Sequence, residues 1–389
     1  MRLALTAAAC VTPQRYLDNA VVLIEDGVIA AVSTREDADL PRGARLIDLP
    51  GAILAPGFVD LHIHGGAGHD VMHADAAELA AIERHLAAHG TTTYFPTTAT
   101  APVEDTLQAL DRLADAVERA DRQPPTEVRA QPLGIHLEGP FISYAKRGVH
   151  PPESLQPPSL ELFERFWQAA RGHIKLMTIA PELPGACELI AAAAQRGVCV
   201  SLGHSDAGYT AAQAGIAAGA RHATHTFNAM RALDHREPGI AGAVLNEAGI
   251  SADIIADGIH VAPAMVALFL KAKGTSRAVL ITDAISATGM PEGRYALGSL
   301  EVDVSGGKCL SAEGRLAGSV LTLERAVRNV MDFAGWDLQD AVRLATMNPA
   351  HTVGLGLRRG TLVSGARGDV VALSPEGNVV HTIVCGQSP

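Results

Sequence analysis

Between residues 53 and 282 the chain alternates short apolar runs with amphipathic helical patterns, and that alternation leaves few folds open to it. The runs lie near Ile53–His62, Thr91–Phe95, Leu133–Leu137, Ile174–Ile179, Val198–Leu202, His222–His225, Asp253–Ile255 and Ala278–Thr282. Helical spacing falls between most of them. In Ala76–His89, Leu79, Ile82 and Leu86 share one face and Gly90 supplies a C-terminal stop; in Val103–Ala120, Leu107, Leu110, Leu113 and Val117 do the same. Strands joined by helical crossovers pair in parallel. Eight of them point to an α/β protein built as a (β/α)8 barrel, with an open doubly wound sheet as the other arrangement the pattern allows. The Pro-rich stretches 123–125 and Pro151–Pro158 read as loops.

Both ends of the chain carry a different pattern. Ala20–Ile24, a Glu25-Asp26-Gly27 turn and Val28–Val32 read as a hairpin. Asp369–Leu373, a turn over Pro375–Asn378 and Val379–Val384 repeat the arrangement. Two β-rich ends around an alternating centre imply that the termini meet in one small sheet.

Composition narrows the function classes. Hydrophobic residues at 48% and charged residues at 19% supply a large core and argue against disorder. A net charge of -11 argues against a general nucleic-acid or acidic-membrane binder, while a local cationic cluster could still receive a small anion. The five cysteines, Cys10, Cys187, Cys199, Cys309 and Cys385, have no CxxC spacing and read as ordinary buried thiols. The N-terminus lacks a basic segment followed by a sustained apolar one, and no run approaches the ~18 apolar residues of a membrane span. The expectation is a soluble, cytoplasmic protein.

Polar residues stand where the strands end. His62 and His64 are two apart on the first central strand, so they point to the same side and can grip one ion together. Glu138 closes the third strand before a Gly-Pro turn, His204 the fifth, His225 the sixth and Asp283 the eighth. His222 lies earlier in its strand and reads as structural. Each residue alone has an ordinary alternative, such as a hydrogen-bonded surface histidine or a solvated carboxylate. Together they fall on the rim where barrel active sites are assembled from different strands. Imidazoles with a carboxylate and no paired cysteines suit Zn²⁺ or a similar divalent ion, with Fe, Co or Mn as further fits, one or two per subunit. Such an ion acidifies water from 15.7 to roughly pKa 7 and polarises a carbonyl, and a neighbouring carboxylate can carry the proton. The constellation supports metal-assisted hydrolysis of a C–N or C–O bond.

The ordered motifs are more specific. PGFVDLHIHGG (Pro56–Gly66), HLEGPF (His136–Phe141), GHS (Gly203–Ser205), THTFNAM (Thr224–Met230), REPG (Arg236–Gly239), ADGIH (Ala256–His260), TDA (Thr282–Ala284), LAGS (Leu316–Ser319) and NPA (Asn348–Ala350) run through nearly the whole chain. In this set the sequence resembles the N-acetylglucosamine-6-phosphate deacetylases of the amidohydrolase superfamily. The resemblance implies a TIM barrel over residues 55–355 and a small β-sandwich formed by residues 1–54 and 356–389. It implies that Glu138, His204 and His225 hold the main metal, and that His62 and His64 hold a second with Glu138 bridging. It assigns substrate contacts to Val149, His150, Asn228, Ala229, Arg236, Asp257, His260 and the loop Leu316, Ala317, Gly318. Arg236 pairs with the phosphate, reaching in from a neighbouring subunit, which implies a homodimer.

The expected reaction is hydrolysis of the acetyl amide of N-acetylglucosamine 6-phosphate. Asp283 moves the protons, and His150 helps the metal stabilise the oxyanion. The motifs do not read the hydroxyl that separates this sugar from N-acetylgalactosamine 6-phosphate, so that epimer is the nearest rival. A cyclic amidase is a second rival, disfavoured because such enzymes usually carry lysine where Glu138 stands. A non-enzymatic barrel would be expected to lose the ligands or Asp283, and all six remain.

Overall fold

The computed structural model describes residues 2–12, 15–122 and 125–388, and each of the eight apolar runs contains a strand. In chain order these are Phe58–Ile63, Thr91–Thr98, Ile135–Glu138, Ile174–Ile179, Cys199–Leu202, His222–Ala223, Ala252–Ile255 and Ala278–Ile281. Neighbours pair in parallel from the first to the sixth, and the seventh pairs with the eighth. The Thr226 amide donates to the Asp253 carbonyl (2.9 Å), joining the sixth strand to the seventh. A parallel bridge between Ile63 and Ala284 returns the eighth to the first. The sheet closes into a TIM-like barrel, and the open alternative is excluded.

Helices cover the barrel as the periodicity requires. Ala76–Ala88 buries Leu79, Ile82 and Leu86 in the same apolar core as Phe58 and Phe95. Its first turn is closed by a capping box, in which the Asp75 side chain accepts from the Ala77 and Glu78 amides and Glu78 accepts from Asp75. Val103–Arg122 buries Leu110, Leu113 and Val117. A barrel strand buried on both faces needs apolar or internally paired residues throughout, and all six residues of Phe58–Ile63 are buried.

The first apolar run divides at Gly57. Arg45–Pro56 pairs in parallel with Arg2–Val11 and antiparallel with Val370–Leu373, whereas Phe58–Ile63 enters the barrel. A Cβ at Gly57 would lie 2.3 Å from the Thr92 hydroxyl, so only glycine lets the two elements approach there. The two chain ends do meet in one seven-stranded sheet. In its Ala20–Glu25 and Val28–Thr34 hairpin, Asp26 (φ 48) and Gly27 (φ 78) both take the left-handed conformation of a tight two-residue turn. The sheet has its own apolar cluster, including Leu5, Cys10, Val22, Leu54, Val370 and Ile383.

A further element was not expected. After the eighth barrel strand, Gly293–Leu297, Leu300–Ser305 and Lys308–Ser311 form an antiparallel sheet. It packs Leu297, Val302, Val304 and Cys309 against Ile285, Ala287 and Ala317. The sixth strand is shorter than expected, because His225 leaves the extended region at φ 31. The Pro151–Pro158 loop includes a 3-10 turn over Pro152–Ser154, and Gln123 and Pro124 lie outside the described residues. All five cysteines are free thiols. Among the described residues, no helix is long and apolar enough to cross a membrane.

Candidate active site

The strand ends converge on Glu138. Its Oε2 lies 3.3 Å from His62 Nε2 and 3.2 Å from His64 Nε2; its Oε1 lies 3.2 Å from both His204 Nε2 and His225 Nε2. The two imidazole pairs are themselves close, with Nε2–Nε2 distances of 3.1 Å for His62 and His64 and 3.0 Å for His204 and His225. One carboxylate thus faces two histidine pairs, one with each oxygen, and all five side chains are buried. Asp283 Oδ1 stands 3.3 Å from His64 Nε2 and 3.5 Å from His62 Nε2.

Backbone conformation aims these groups. His204 (φ 46), His225 (φ 31) and Asp283 (φ 52) occupy the left-handed region that non-glycine residues rarely adopt. The strain is held by surrounding hydrogen bonds, as is common at functional sites. The His225 amide donates to Asp253, whose other oxygen accepts from His222 Nε2 at 2.8 Å. The Asp283 amide donates to the His62 carbonyl, and its own carbonyl accepts from Ser319. Asp60 is buried behind them and accepts from the Thr282 hydroxyl at 2.6 Å.

The donor set fits a divalent cation. His64 Nδ1 donates to the Thr97 carbonyl (3.0 Å) and His204 Nδ1 to the Lys146 carbonyl (2.9 Å), which leaves each Nε2 as a lone pair facing Glu138. The carboxylates that converge on these rings favour positive charge there. Burial pushes the His64 pKa down, but hydrogen bonds to Asp283 and Glu138 outweigh it and lift the ring to about 10. Burial likewise opposes, and Glu138 overrides, at His225, which reaches about 9. Burial alone would raise both carboxylates, yet the charge of His62 and its neighbours holds Glu138 and Asp283 well below the usual range. Imidazoles forced cationic by converging carboxylates are groups that a dication can relieve of their protons.

His150 differs from these rings. Its Nδ1 accepts the Thr100 amide (3.2 Å), so the ring proton sits on Nε2, 3.7 Å from Glu138 Oε2. Burial, joined by the charge of His204, lowers its pKa to about 3 and keeps it neutral. It is a fixed N–H donor on the cavity wall.

That cavity, of ≈ 230 Å³, suits a small ligand rather than a polymer. His64, Glu138, His204, His225 and Asp283 form its floor; Val149, His150, Asn228, Ala229, His260 and Leu316–Gly318 line its walls. Two expected contacts are elsewhere. Asp257 does not line the cavity: its carboxylate accepts from the Ile259 and His260 amides and from His260 Nδ1 (2.7 Å), so it sets the His260 ring. Arg236 is exposed and outside the cavity of its own subunit.

The Amidohydrolase family model matches residues 53–388. The chain belongs to the amidohydrolase family. It is 36% identical over 378 residues to the N-acetylglucosamine-6-phosphate deacetylase of Bacillus subtilis (strain 168), covering 97% of this chain and 94% of the relative. It is 37% identical over 383 residues to the N-acetylgalactosamine-6-phosphate deacetylase of Escherichia coli O157:H7, covering 98% of each. Among solved structures, a mutant N-acetyl-D-glucosamine-6-phosphate deacetylase from Mycobacterium smegmatis, in complex with N-acetyl-D-glucosamine-6-phosphate, superposes with a TM-score of 0.92 at 36% identity. That match covers 100% of this chain and 99% of the other.

In this amidohydrolase some residues around the site escaped the sequence reading. Thr100 and the stretch Leu297–Leu300 line the cavity. Gly298-Ser299, flanked by the alternating residues of Gly293–Leu297 and Leu300–Ser305, is a hairpin signal that could have revealed the second group. Asp60 and Asp253, each two or more residues before the C-terminal end of its strand, gave no signal apart from being acidic residues in apolar runs.

Proposed function

We propose that this amidohydrolase removes the acetyl group from N-acetyl-D-glucosamine 6-phosphate, yielding D-glucosamine 6-phosphate and acetate. The observation that carries the reading is Glu138 set between two histidine pairs with Asp283 beside one of them, in a chain related over its whole length to deacetylases of this substrate class. Glu138, His204 and His225 would hold the principal divalent ion, zinc first, and His62 and His64 with Glu138 a second. Held there, such an ion acidifies water and polarises the amide carbonyl. Asp283, ionised at neutral pH, takes the proton of the attacking water and returns it to the departing nitrogen as the C–N bond breaks. The fixed Nε2–H of His150 faces the cavity and stabilises the developing oxyanion.

Asn228, Ala229, Val149, His260 and the Leu316–Gly318 loop embrace the sugar phosphate. A Cβ at Gly318 would lie 2.3 Å from the Ile285 side chain and 3.0 Å from the Asp283 carbonyl, so the loop lies against the base only because it is glycine there. Arg236, exposed on its own subunit, serves the phosphate of a partner in a homodimer. We further assign residues 1–54 and 356–389 to a small β-sandwich domain beside the 55–355 barrel, and the enzyme to the cytoplasm.

The relative that acts on the galacto epimer gives a specific reason to test that sugar. Values of kcat/KM for the two epimers and for unphosphorylated N-acetylglucosamine decide it. The expected order is gluco-phosphate, then galacto-phosphate, then the free sugar. A galacto-phosphate preference would transfer the assignment to that epimer.

A further inference from the structure

The antiparallel sheet of residues 293–311 overhangs the cavity, and its first turn, Gly298-Ser299, supplies part of the wall with Leu297 and Leu300. Its apolar underside is small: Leu297, Val302, Val304 and Cys309 against Ile285, Ala287 and Ala317. Such a satellite cluster holds less firmly than the barrel core, so polar ties at its rim decide where the turn sits.

One tie comes from the neighbouring segment that follows the first barrel strand. Asp70 Oδ2 accepts the Gly298 amide at 2.7 Å, while Oδ1 accepts the Met72 amide at 2.7 Å. Asp70 itself stands on a rigid support. Residues Gly65–Asp70 form a short antiparallel pair whose amides at Gly65, Ala67 and Gly68 donate to the carbonyls of Ala284, Thr288 and Ser286. The Val71 amide donates to the carbonyl of His64. A Cβ at Gly65 would lie 2.3 Å from the His69 carbonyl and 2.8 Å from the Ser286 amide, which shows how closely the support is packed. Asp70 is buried, and each of its carboxylate oxygens is engaged by one of these two amides. Beside it, on the same support, the Ser286 hydroxyl donates to the Ala296 carbonyl, and further along the chain Arg315 donates to the Gly148 carbonyl (3.0 Å) beside Val149 and His150.

We propose that residues 293–311 form a cover over the substrate cavity and that Asp70 is the positioning residue that latches it shut. The latch is a charge-assisted hydrogen bond to one backbone amide at the turn, which is strong enough to hold the turn and local enough to release with it. Asp70 touches neither the substrate nor the metal-binding side chains by this bond; it acts through the Gly298–Leu300 wall. The proposal rests on the substrate reading above only for where the ligand lies.

Cys309 offers a readout independent of turnover, because it is a free thiol buried on the underside of the cover itself, against Ile285, Ala287 and Ala317. The test compares the metal-loaded full-length protein with its Asp70→Asn and Ser286→Ala variants. Thiol-alkylation rates at each cysteine are followed by peptide mass analysis, and kcat and KM are measured alongside. Asparagine keeps one acceptor oxygen for two amides, so the Gly298 and Met72 N–H groups can no longer both be bound. The expected result for Asp70→Asn is about a tenfold faster alkylation of Cys309, with Cys10 in the terminal sheet unchanged, and a KM raised about tenfold against a kcat within about twofold. Ser286→Ala moves Cys309 in the same direction, so the idea survives a poorly folding Asp70 variant. An unchanged Cys309 rate in both variants overturns the latch. A parallel rise at Cys10 and Cys309 makes Asp70 a general stability residue and overturns it too. A loss in kcat with KM unmoved contradicts a cover over the binding cavity. If no acetylated sugar phosphate is turned over, the alkylation rates still decide the latch, so its failure and that of the substrate assignment are distinguishable.

Discussion

Asp283 is the residue on which the proposed chemistry turns. Its carboxylate sits at a left-handed backbone position, 3.5 Å from His62 and 3.3 Å from His64. Asp283→Asn keeps the shape and removes the base. It is expected to lower kcat by about 10²–10⁴-fold, the usual contribution of a general acid–base, while metal content by elemental analysis stays that of the wild type. A near-normal kcat in that variant would end the proton-transfer role. The residue scale also shows what a sequence carries poorly. His62, His64, Glu138, His204 and His225 were legible because strand ends concentrate function. The carboxylates that hold them, Asp60 behind Thr282 and Asp253 under His225, were not, because their role depends on which neighbouring backbone amides the barrel presents.

At the scale of elements, the periodicities were informative and their junctions were not. Leu79, Ile82 and Leu86 placed the Ala76–Ala88 helix, yet the same helix also buries Glu83, which no apolar pattern announces. The Glu83 carboxyl accepts from the Tyr94 hydroxyl (3.1 Å) and lies 3.4 Å from Arg129. Burial pushes its pKa up, Arg129 only partly opposes this, and it stands at about 7. The folded state therefore binds this proton more tightly than the unfolded chain, whose glutamates titrate near ~4.3. The stability so gained is full below about pH 4.3 and is lost as pH rises through 7. Glu83→Gln should accordingly melt above the wild type at pH 8 and close to it at pH 5, in thermal unfolding followed by circular dichroism. An equal gap at both pH values would contradict the assignment. The division of one apolar run at Gly57 and the sheet after residue 292 were lost for a related reason. Both depend on contacts with Thr92, Ile285 and Ala287, which are remote in sequence.

For the whole molecule, the closed barrel makes the site a shared product of its parts. The first strand brings the His62–His64 pair, the third brings Glu138, and the ends of the fifth, sixth and eighth bring His204, His225 and Asp283. The sheet built from both chain ends lies outside this constellation and was legible from its hairpins alone. The central claim is that the converged groups hold a divalent ion and use it to hydrolyse an acetylated sugar phosphate. The most direct measurement is acetate release from N-acetylglucosamine 6-phosphate by the purified protein, before chelation, after it, and after a divalent metal is restored. The account predicts turnover that chelation abolishes and the metal brings back. No acetate from the metal-loaded, folded protein, or turnover untouched by complete removal of the metal, would contradict it.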